Sequence, residues 1–187
     1  AAADSLTPQK RTFPMATILP FRGLRYSTQK ALDLSLVTAP PYDCINPQQQ
    51  QDLYAVHPHN VVRLIYGVEK PGDSDNDNRY TRAAQCLRQW VDAGVLVREK
   101  RPALYLYEQE FTAAGHTMVR RGFMARVALE EFGSGSIYPH EQTFSGPKED
   151  RLRLLKATRT NLSQVFALYP DDSNEVNSTR SYRVQRR

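Results

Sequence analysis

The sequence predicts an α+β domain with a mixed, mainly antiparallel sheet, three main helices and one long β-hairpin. Apolar side chains recur with the helical period from Tyr80 to Val91, which predicts an amphipathic helix. Between Ala103 and Phe111 the side chains alternate with a period of two, which predicts a strand. The predicted order of elements, β-α-β-α-β-β-α-β, is that of an α+β domain.

The first predicted strand and helix lie before His57. Residues 17–21 are a short apolar run that predicts a strand. Asn46 and Pro47 combine an N-cap residue with a proline in the first helical position. We therefore expect a helix from this pair to about Val56.

The middle of the chain predicts a buried strand followed by the clearest helix. Asn60–Tyr66 is rich in β-branched residues, which favours a strand. The next helix has a single apolar stripe that places Trp90 in the core, and Gly94 predicts its end.

The C-terminal half predicts a returning strand, a third helix and a last strand. The strand that completes the hairpin is expected over Thr117–Leu129. A helix opens at Gly146 and Pro147 and is expected to end near Asn161. Gln164–Tyr169 predicts the last strand.

Positive charge is concentrated at the two ends of the chain. The 187 residues carry a formal net charge of +5 with a pI near 9.3, which by itself is typical of nucleic-acid-binding proteins. Residues 1–14 carry +1 and residues 173–187 carry +3, so residues 15–172 carry only +1. We expect a disordered extension over 1–14, an α+β domain over 15–172 and a disordered basic tail over 173–187. Nucleic acid is not the expected partner.

Other functional classes lack their sequence signals. No apolar run reaches the ~18–20 residues of a membrane span. Cys44 and Cys86 form no C-x-x-C pair, so we expect two reduced thiols in a cytoplasmic protein, with a disulfide between them left open. Asp73, Asp75 and Asp77 have the D-x-D-x-D spacing of an EF-hand, but its glycine and final glutamate are missing. Nothing predicts zinc, haem or flavin.

The densest polar segment contains a candidate phosphate site at the start of the third helix, near Gly146. Lys148 and Arg151 have the wrong sign for the positive end of a helix, so an anion at the same place would favour them. Free backbone amides together with lysine and arginine form a phosphate-binding arrangement. Arg159, two to three turns further on, belongs to this candidate set. The alternative is a solvated first turn.

Three residues are candidates for catalysis. His140 and Glu141 are adjacent on an extended, proline-restrained segment, so their side chains point to opposite faces and each needs its own partners. Asp43 follows two consecutive prolines, and a carboxylate on such a stiff loop is suited to bind a metal or accept a proton. The alternative for Asp43 is an Asx-turn that leads into the next helix.

A series of short motifs runs through the chain in a fixed order. They are PFRGLRY (Pro20–Tyr26), APPYD (Ala39–Asp43), NVVRL (Asn60–Leu64), NRY with L-x-x-W (Asn78–Trp90), GVL (Gly94–Leu96), Y-x-YEQ-x-F (Tyr105–Phe111), R-x-GF (Arg120–Phe123), PHE-x-T (Pro139–Thr143), GPKEDRL (Gly146–Leu152), AT-x-x-NLS (Ala157–Ser163) and F-x-LY (Phe166–Tyr169). Together they resemble the N-terminal half of a bacterial and archaeal family, domain of unknown function 1015. The PHE-x-T and GPKEDRL motifs are the most specific of the series.

The resemblance implies a nucleotide-dependent small-molecule kinase. The second half of family members carries a motif similar to the phosphate-binding loop of free serine kinases and of ParB-like proteins. By the same resemblance Glu141 would be a general base or metal ligand, and His140 would stabilise charge. Lys148 and Arg151 would hold phosphate, with ATP or ADP and Mg²⁺ as cofactors. A small molecule or a nucleotide is therefore the expected ligand.

The sequence departs from the family pattern after Asp172. It contains no Asp-Gly-His-His-Arg motif, which the second half of the family carries. This departure predicts a truncated protein that is inactive by itself. The alternatives are a ParB-like nucleotide- or nucleic-acid-binding module and an inactive fragment.

Overall fold

The computed structural model of the chain describes residues 16–31, 33–131, 135–139, 144–176 and 178. The described helices are α1 (Pro47–Val56), α2 (Val62–Ile65), α3 (Arg79–Asp92) and α4 (Ser145–Thr158). The described strands are β1 (Ile18–Leu19), β2 (Leu24–Tyr26), β3 (Leu96–Arg98), β4 (Tyr105–Ala113), β5 (His116–Met124) and β6 (Arg126–Val127). The predicted α+β class is confirmed. The extension expected over 1–14 and most of the tail expected over 173–187 lie outside the described residues.

The strands pair as three separate two-stranded sheets: β1 with β6, β2 with β3, and β4 with β5. All three pairs are antiparallel. The β4–β5 pair is a hairpin that runs from Tyr105 opposite Met124 to Ala113 opposite His116. Its two turn residues, Ala114 and Gly115, both have positive φ angles, as a two-residue turn of the I′ type requires.

Side-chain caps fix where the helices begin. The Asn46 side chain accepts a hydrogen bond from the Gln49 amide, and the Gln49 side chain accepts one from the Asn46 amide. Asn78 forms the same reciprocal cap with Thr81 at the start of α3. Gly94, with φ of +67°, ends the α3 region as predicted.

The core lies where α2 and α3 meet β3. Its members are buried apolar side chains: Leu64, Leu87, Trp90, Val95 and Leu96. Each stabilises the fold by about 1.5–3 kcal/mol relative to an exposed position. The predicted placement of Trp90 in the core is confirmed, because only 5% of this residue is exposed.

Both cysteines are free thiols, so no disulfide joins them. Cys86 packs against the core, and burial raises the pKa of its thiol to about 11. Cys44 is exposed in a short 3₁₀ turn, Tyr42–Cys44.

The strand predicted over Asn60–Tyr66 is wrong, because this segment forms the short helix α2. The cause is the fully buried Asn60 side chain. Its amide donates to the carbonyls of Leu36 and Thr38, each at 2.8 Å, and its oxygen accepts from the Val62 amide at 3.0 Å. These tertiary hydrogen bonds start a helical turn and override the weak β-propensity of the valines.

The last strand predicted over Gln164–Tyr169 is also wrong, because this segment forms no ladder with any described strand. It contacts the hairpin through side chains instead. The Tyr169 ring lies 5.6 Å from the Phe123 ring, and the Arg120 guanidinium lies 5.4 Å from the Phe166 ring. Phe166 and Tyr169 thus contact the hairpin without backbone pairing, whereas Val165 and Leu168 stay largely exposed.

The helices found in the described segments are all too short or too polar to cross a lipid bilayer.

We predict that Asn60→Ala lowers the free energy of unfolding by about 2–3 kcal/mol, because two carbonyls and one amide lose their buried partner. Urea denaturation measures the change. Asn161→Ala, at an exposed asparagine, is the matched control and should alter stability by less than about 0.5 kcal/mol. A similar, small effect of both substitutions would show that Asn60 does not hold this turn.

We further predict that stability falls as the pH is lowered below about 6.5, the ordinary histidine pKa. Burial, followed by the nearby charges of His57, Arg63 and Lys30, lowers the pKa of His59 in the folded state. The unfolded chain therefore binds more protons in this pH window, and acid favours unfolding. His59→Gln should flatten the pH dependence of the urea midpoint. His116→Gln, on the exposed hairpin turn, should leave it unchanged, and an equal effect of the two substitutions would refute the assignment.

Candidate functional site

The first turn of α4 has no side-chain cap. Phe144 is its N-cap residue, and its side chain makes no capping hydrogen bond. Gly146 and Lys148 are both exposed, and a Cβ added at Gly146 would meet no atom within 4 Å. First-turn amides of a helix carry partial positive charge, so this open turn is able to receive an anion.

One carboxylate connects this turn to α3. The Oδ1 atom of Asp150 accepts from Arg79 Nη2 at 2.6 Å and from the Tyr80 hydroxyl at 2.8 Å. Its Oδ2 atom accepts from Arg151 Nε at 2.7 Å and also from Arg151 Nη2. The side chains of Arg79, Asp150 and Arg151 are each 17–23% exposed, so this cluster is half-buried. We call Arg79, Tyr80, Asp150 and Arg151 the Asp150 cluster.

Arg151 extends the cluster to the turn that carries Asp43. Its guanidinium carbon lies 3.7 Å from the centre of the Tyr42 ring, which is a close cation–π contact. The remaining nitrogen, Nη1, is buried and has no hydrogen-bond partner among the described residues. Arg151 also lines a cavity of about 10 Å³ with Arg79, Tyr80 and the end of α2, a volume that fits about one water molecule.

The structure connects two of the predicted site residues through a neighbouring side chain. Asp43 is exposed and directly follows Tyr42, whose ring contacts Arg151 of α4. Arg151 is already held by Asp150 and Tyr42, so its free hydrogen-bonding capacity is limited. The sequence predicted that Arg151 holds phosphate, but it gave no sign that Asp150 and Tyr42 bind this side chain.

Arg159 lies at the opposite end of α4, as its C-cap residue with a left-handed backbone. It is about 20 Å along the helix from Gly146. A single phosphate group therefore cannot contact both residues. The helix ends at Thr158, earlier than the expected end near Asn161. The predicted catalytic residues His140 and Glu141 lie outside the described residues.

Sequence reasoning missed the role of Arg79. Arg79 is the first residue of α3, where a cation has the wrong sign for the helix dipole. The same argument singled out Lys148 and Arg151 in α4, so the signal was present. The structure gives its reason, because Asp150 of the next helix supplies the counter-charge.

The acidic loop before α3 binds an arginine. Both oxygens of Asp73 accept from Arg82, at 2.7 and 2.8 Å, and Asp77 accepts from the same side chain at 2.9 Å. The hydrogen bonds from Arg82 lower the pKa of Asp73. The described residues include no group of three or more His, Cys, Asp or Glu side chains that could hold a metal ion.

A polar groove of about 690 Å³ lies between this loop and α4. The loop side contributes Lys70 and Asp75, and α4 contributes Arg153 and Lys156. Arg79 and Tyr80 form part of its lining, so the groove borders the Asp150 cluster.

A family model described as Protein of unknown function (DUF1015) matches residues 18–185. The chain belongs to this family. The match covers most of the chain and continues past Asp172, where the resemblance in short motifs ends. No curated protein and no solved structure gave a significant match.

The site of this DUF1015 chain is assembled from three separate motifs of the family resemblance. Tyr42 and Asp43 belong to APPYD, Arg79 and Tyr80 belong to NRY, and the Asp150–Arg151 pair belongs to GPKEDRL. The motifs are far apart in sequence and meet around the Asp150 carboxylate.

We predict that Asp150→Asn lowers the free energy of unfolding by about 1–3 kcal/mol, because two half-buried arginines lose their counter-charge. Urea denaturation measures the loss. Glu149→Gln is the control, since it removes an exposed i,i+4 pair with Arg153 and should cost less than about 0.5 kcal/mol. Equal losses for the two variants would mean that the Asp150 cluster adds nothing beyond an ordinary surface ion pair.

Proposed function

We propose that this DUF1015 protein is a nucleotide-dependent phosphotransferase of the small-molecule kinase type, and that the first turn of α4 binds a phosphate group of the nucleotide. The observation that carries the proposal is the 3.7 Å contact between Arg151 and the Tyr42 ring. It links the turn that carries the Asp43 carboxylate to α4, and in this proposal the uncapped start of α4 binds phosphate while Asp43 binds a metal ion or accepts a proton.

The phosphate contacts in this proposal come from the helix itself. The first-turn amides and Lys148 would bind the phosphate oxygens, because Lys148 is exposed and Gly146 leaves the approach open. Arg151 would act through its charge, since Asp150 and Tyr42 already hold its side chain. Arg159 is too far along α4 to share this phosphate.

In this proposal Asp43 would be a ligand of a magnesium ion that is bound mainly by phosphate oxygens. Mg²⁺ commonly takes one or two protein carboxylates together with substrate phosphates and water. Asp43 is exposed and can serve as such a ligand. ATP or ADP with Mg²⁺ is thus the cofactor that we propose.

The proposed phosphoryl transfer uses the catalytic residues that the family resemblance implies. A hydroxyl oxygen of the acceptor forms a bond to the γ-phosphorus while the bond from that phosphorus to the β–γ bridging oxygen breaks, and ADP leaves. The hydroxyl proton passes to a carboxylate, for which Glu141 is the proposed base and Asp43 the alternative. His140 would stabilise charge in the same step.

A ParB-like nucleotide- or nucleic-acid-binding module is the alternative proposal. The net charge of only +1 over residues 15–172 speaks against a nucleic-acid partner for this domain. The basic residues after Ser173 are the feature that would favour it.

We predict saturable binding of ATP–Mg²⁺ or ADP–Mg²⁺ by the chain in isothermal titration calorimetry. Gly146→Asp should weaken binding at least tenfold, because a carboxylate in the first turn repels phosphate, while the same charge favours the helix itself. Gly146→Ala is the matched control and should bind normally, since space is open at this position. Lys148→Ala should weaken binding in the same way, and Lys100→Ala should not.

Two results would contradict the proposal. The first is the absence of nucleotide binding both in this chain and in a longer family member. The second is binding that Gly146→Asp leaves unchanged, which would move the phosphate site away from α4. Salt-dependent binding of duplex DNA that is lost on deletion of residues 173–187 would support the alternative instead.

A further inference from the structure

The ladder between β2 and β3 continues past the ends of these strands with a change of register. The Glu99 amide donates to the Gly23 carbonyl at 2.9 Å, which extends the register of the two strands by one pair. Phe21 and Ala103 then exchange backbone hydrogen bonds of 3.1 and 3.0 Å. Between these two pairs, the chain before β2 has one residue and the chain after β3 has three. A mismatch of this kind forms a bulge, which redirects the side chains of the extra residues.

The bulge collects positive charge. Arg22 is its one residue on the β2 side, Lys100 and Arg101 lie on the β3 side, and Arg98 is the last residue of β3. All four residues are exposed. We call Arg22, Arg98, Lys100 and Arg101 the bulge patch. Arg22 belongs to the PFRGLRY motif, which contributes no residue to the candidate site on α4.

No carboxylate of the described residues forms an ion pair with the bulge patch. Arg22 Nε donates to the Glu99 carbonyl at 2.7 Å, and Arg98 Nη1 donates to the Arg22 carbonyl at 3.4 Å, so backbone oxygens orient these two arginines without neutralising them. The carboxylate of Glu99 is bound by Arg25 instead. Because the four like charges repel one another, an anionic ligand at this place is favourable.

The charge of the rest of the domain favours a short ligand. Residues 15–172 carry +1 and the bulge patch contributes +4, so the other residues of this range carry −3 in total. A nucleic-acid duplex carries one charge per about 1.7 Å of its axis, and it would extend beyond the patch onto a surface whose total charge is negative. The Phe21 ring beside the bulge packs on Tyr105, with ring centres 4.8 Å apart, so it is not a free platform for bases.

We infer that the bulge patch binds a short acidic segment of a partner protein, whose aspartate or glutamate carboxylates pair with the four cations. Arginine binds a carboxylate through two parallel N–H groups, which suits Arg22 and Arg98 because their guanidinium groups are already oriented. Lys100 and Arg101 add charge at the rim and increase the rate of association. No residue of the bulge patch belongs to the candidate site, so the inference is independent of the proposed phosphotransferase activity.

The test is a titration of the full chain with an acetylated and amidated peptide of about eight residues that has glutamate at every second position and serine between. Isothermal titration calorimetry measures the affinity, and NMR of the backbone amides locates the binding. We expect saturable binding that shifts the signals of residues 22 and 98–101. The same peptide with glutamine in place of glutamate should not bind. Affinity should fall at least tenfold between about 50 and about 500 mM salt, since exposed ion pairs are screened.

Two charge-reversed variants separate the bulge patch from the overall charge. The double variant Lys100→Glu, Arg101→Glu should weaken peptide binding at least tenfold, and it should still fold because both side chains are exposed. The double variant Lys70→Glu, Lys156→Glu is the matched control, since it changes the net charge equally at two exposed lysines of the polar groove. Its peptide affinity should stay within about twofold of the unchanged chain.

The inference is overturned if the glutamate peptide does not bind, or if the two double variants weaken its binding equally. It is also overturned if an oligonucleotide with the same number of charges binds more tightly through the same residues, which would make nucleic acid the ligand. Signals of residues 22 and 98–101 that shift with protein concentration alone would overturn it too, because a second copy of the chain would then occupy the patch.

Discussion

The position of α4 depends on the Asp150 carboxylate. Few α4 side chains are buried, namely Leu154 and Thr158, whereas α3 buries four. Apolar packing therefore contributes little to the docking of α4. Three groups from two helices, Arg79, Tyr80 and Arg151, donate to Asp150 instead. Because a half-buried carboxylate must keep its donors, this network fixes both the distance and the rotation of α4 relative to α3.

The same network sets the surroundings of the candidate site. Arg151 contacts the Tyr42 ring, so the orientation that Asp150 imposes on its guanidinium also determines where the turn with Asp43 lies. Gly67 allows this arrangement, because a Cβ there would come within 3.3–3.4 Å of Arg79 backbone and side-chain atoms. The stabilising ion cluster and the candidate binding site thus have Arg151 in common.

The sequence predicted α1 and α3 well, because contacts between residues close together in the chain fix where these helices begin. Asn46 and Asn78 cap α1 and α3 with side chains three residues away, and such short-range patterns can be recognised in a sequence. Asn60 bonds to Leu36 and Thr38, more than twenty residues away, so the helical turn that it induces cannot be inferred from the valines that follow it. The segment over 164–169 has the composition of a strand, but side-chain contacts alone hold it to the hairpin.

The residues of the candidate site could be predicted from the sequence, but their contacts could not. Charges of the wrong sign at a helix start identified Lys148 and Arg151, but only the tertiary structure distinguishes their roles. Arg151 is neutralised by Asp150, whereas Lys148 is exposed at the open turn. The two arginines and Asp150 together keep a net positive charge, and Glu69, the other acidic partner of Arg79, is 71% exposed and therefore screened by solvent. We propose that this charge attracts a phosphate group to α4 without displacing Asp150. In that proposal Lys148 and the first-turn amides bind the phosphate directly, and Arg79 and Arg151 attract it from behind the helix start.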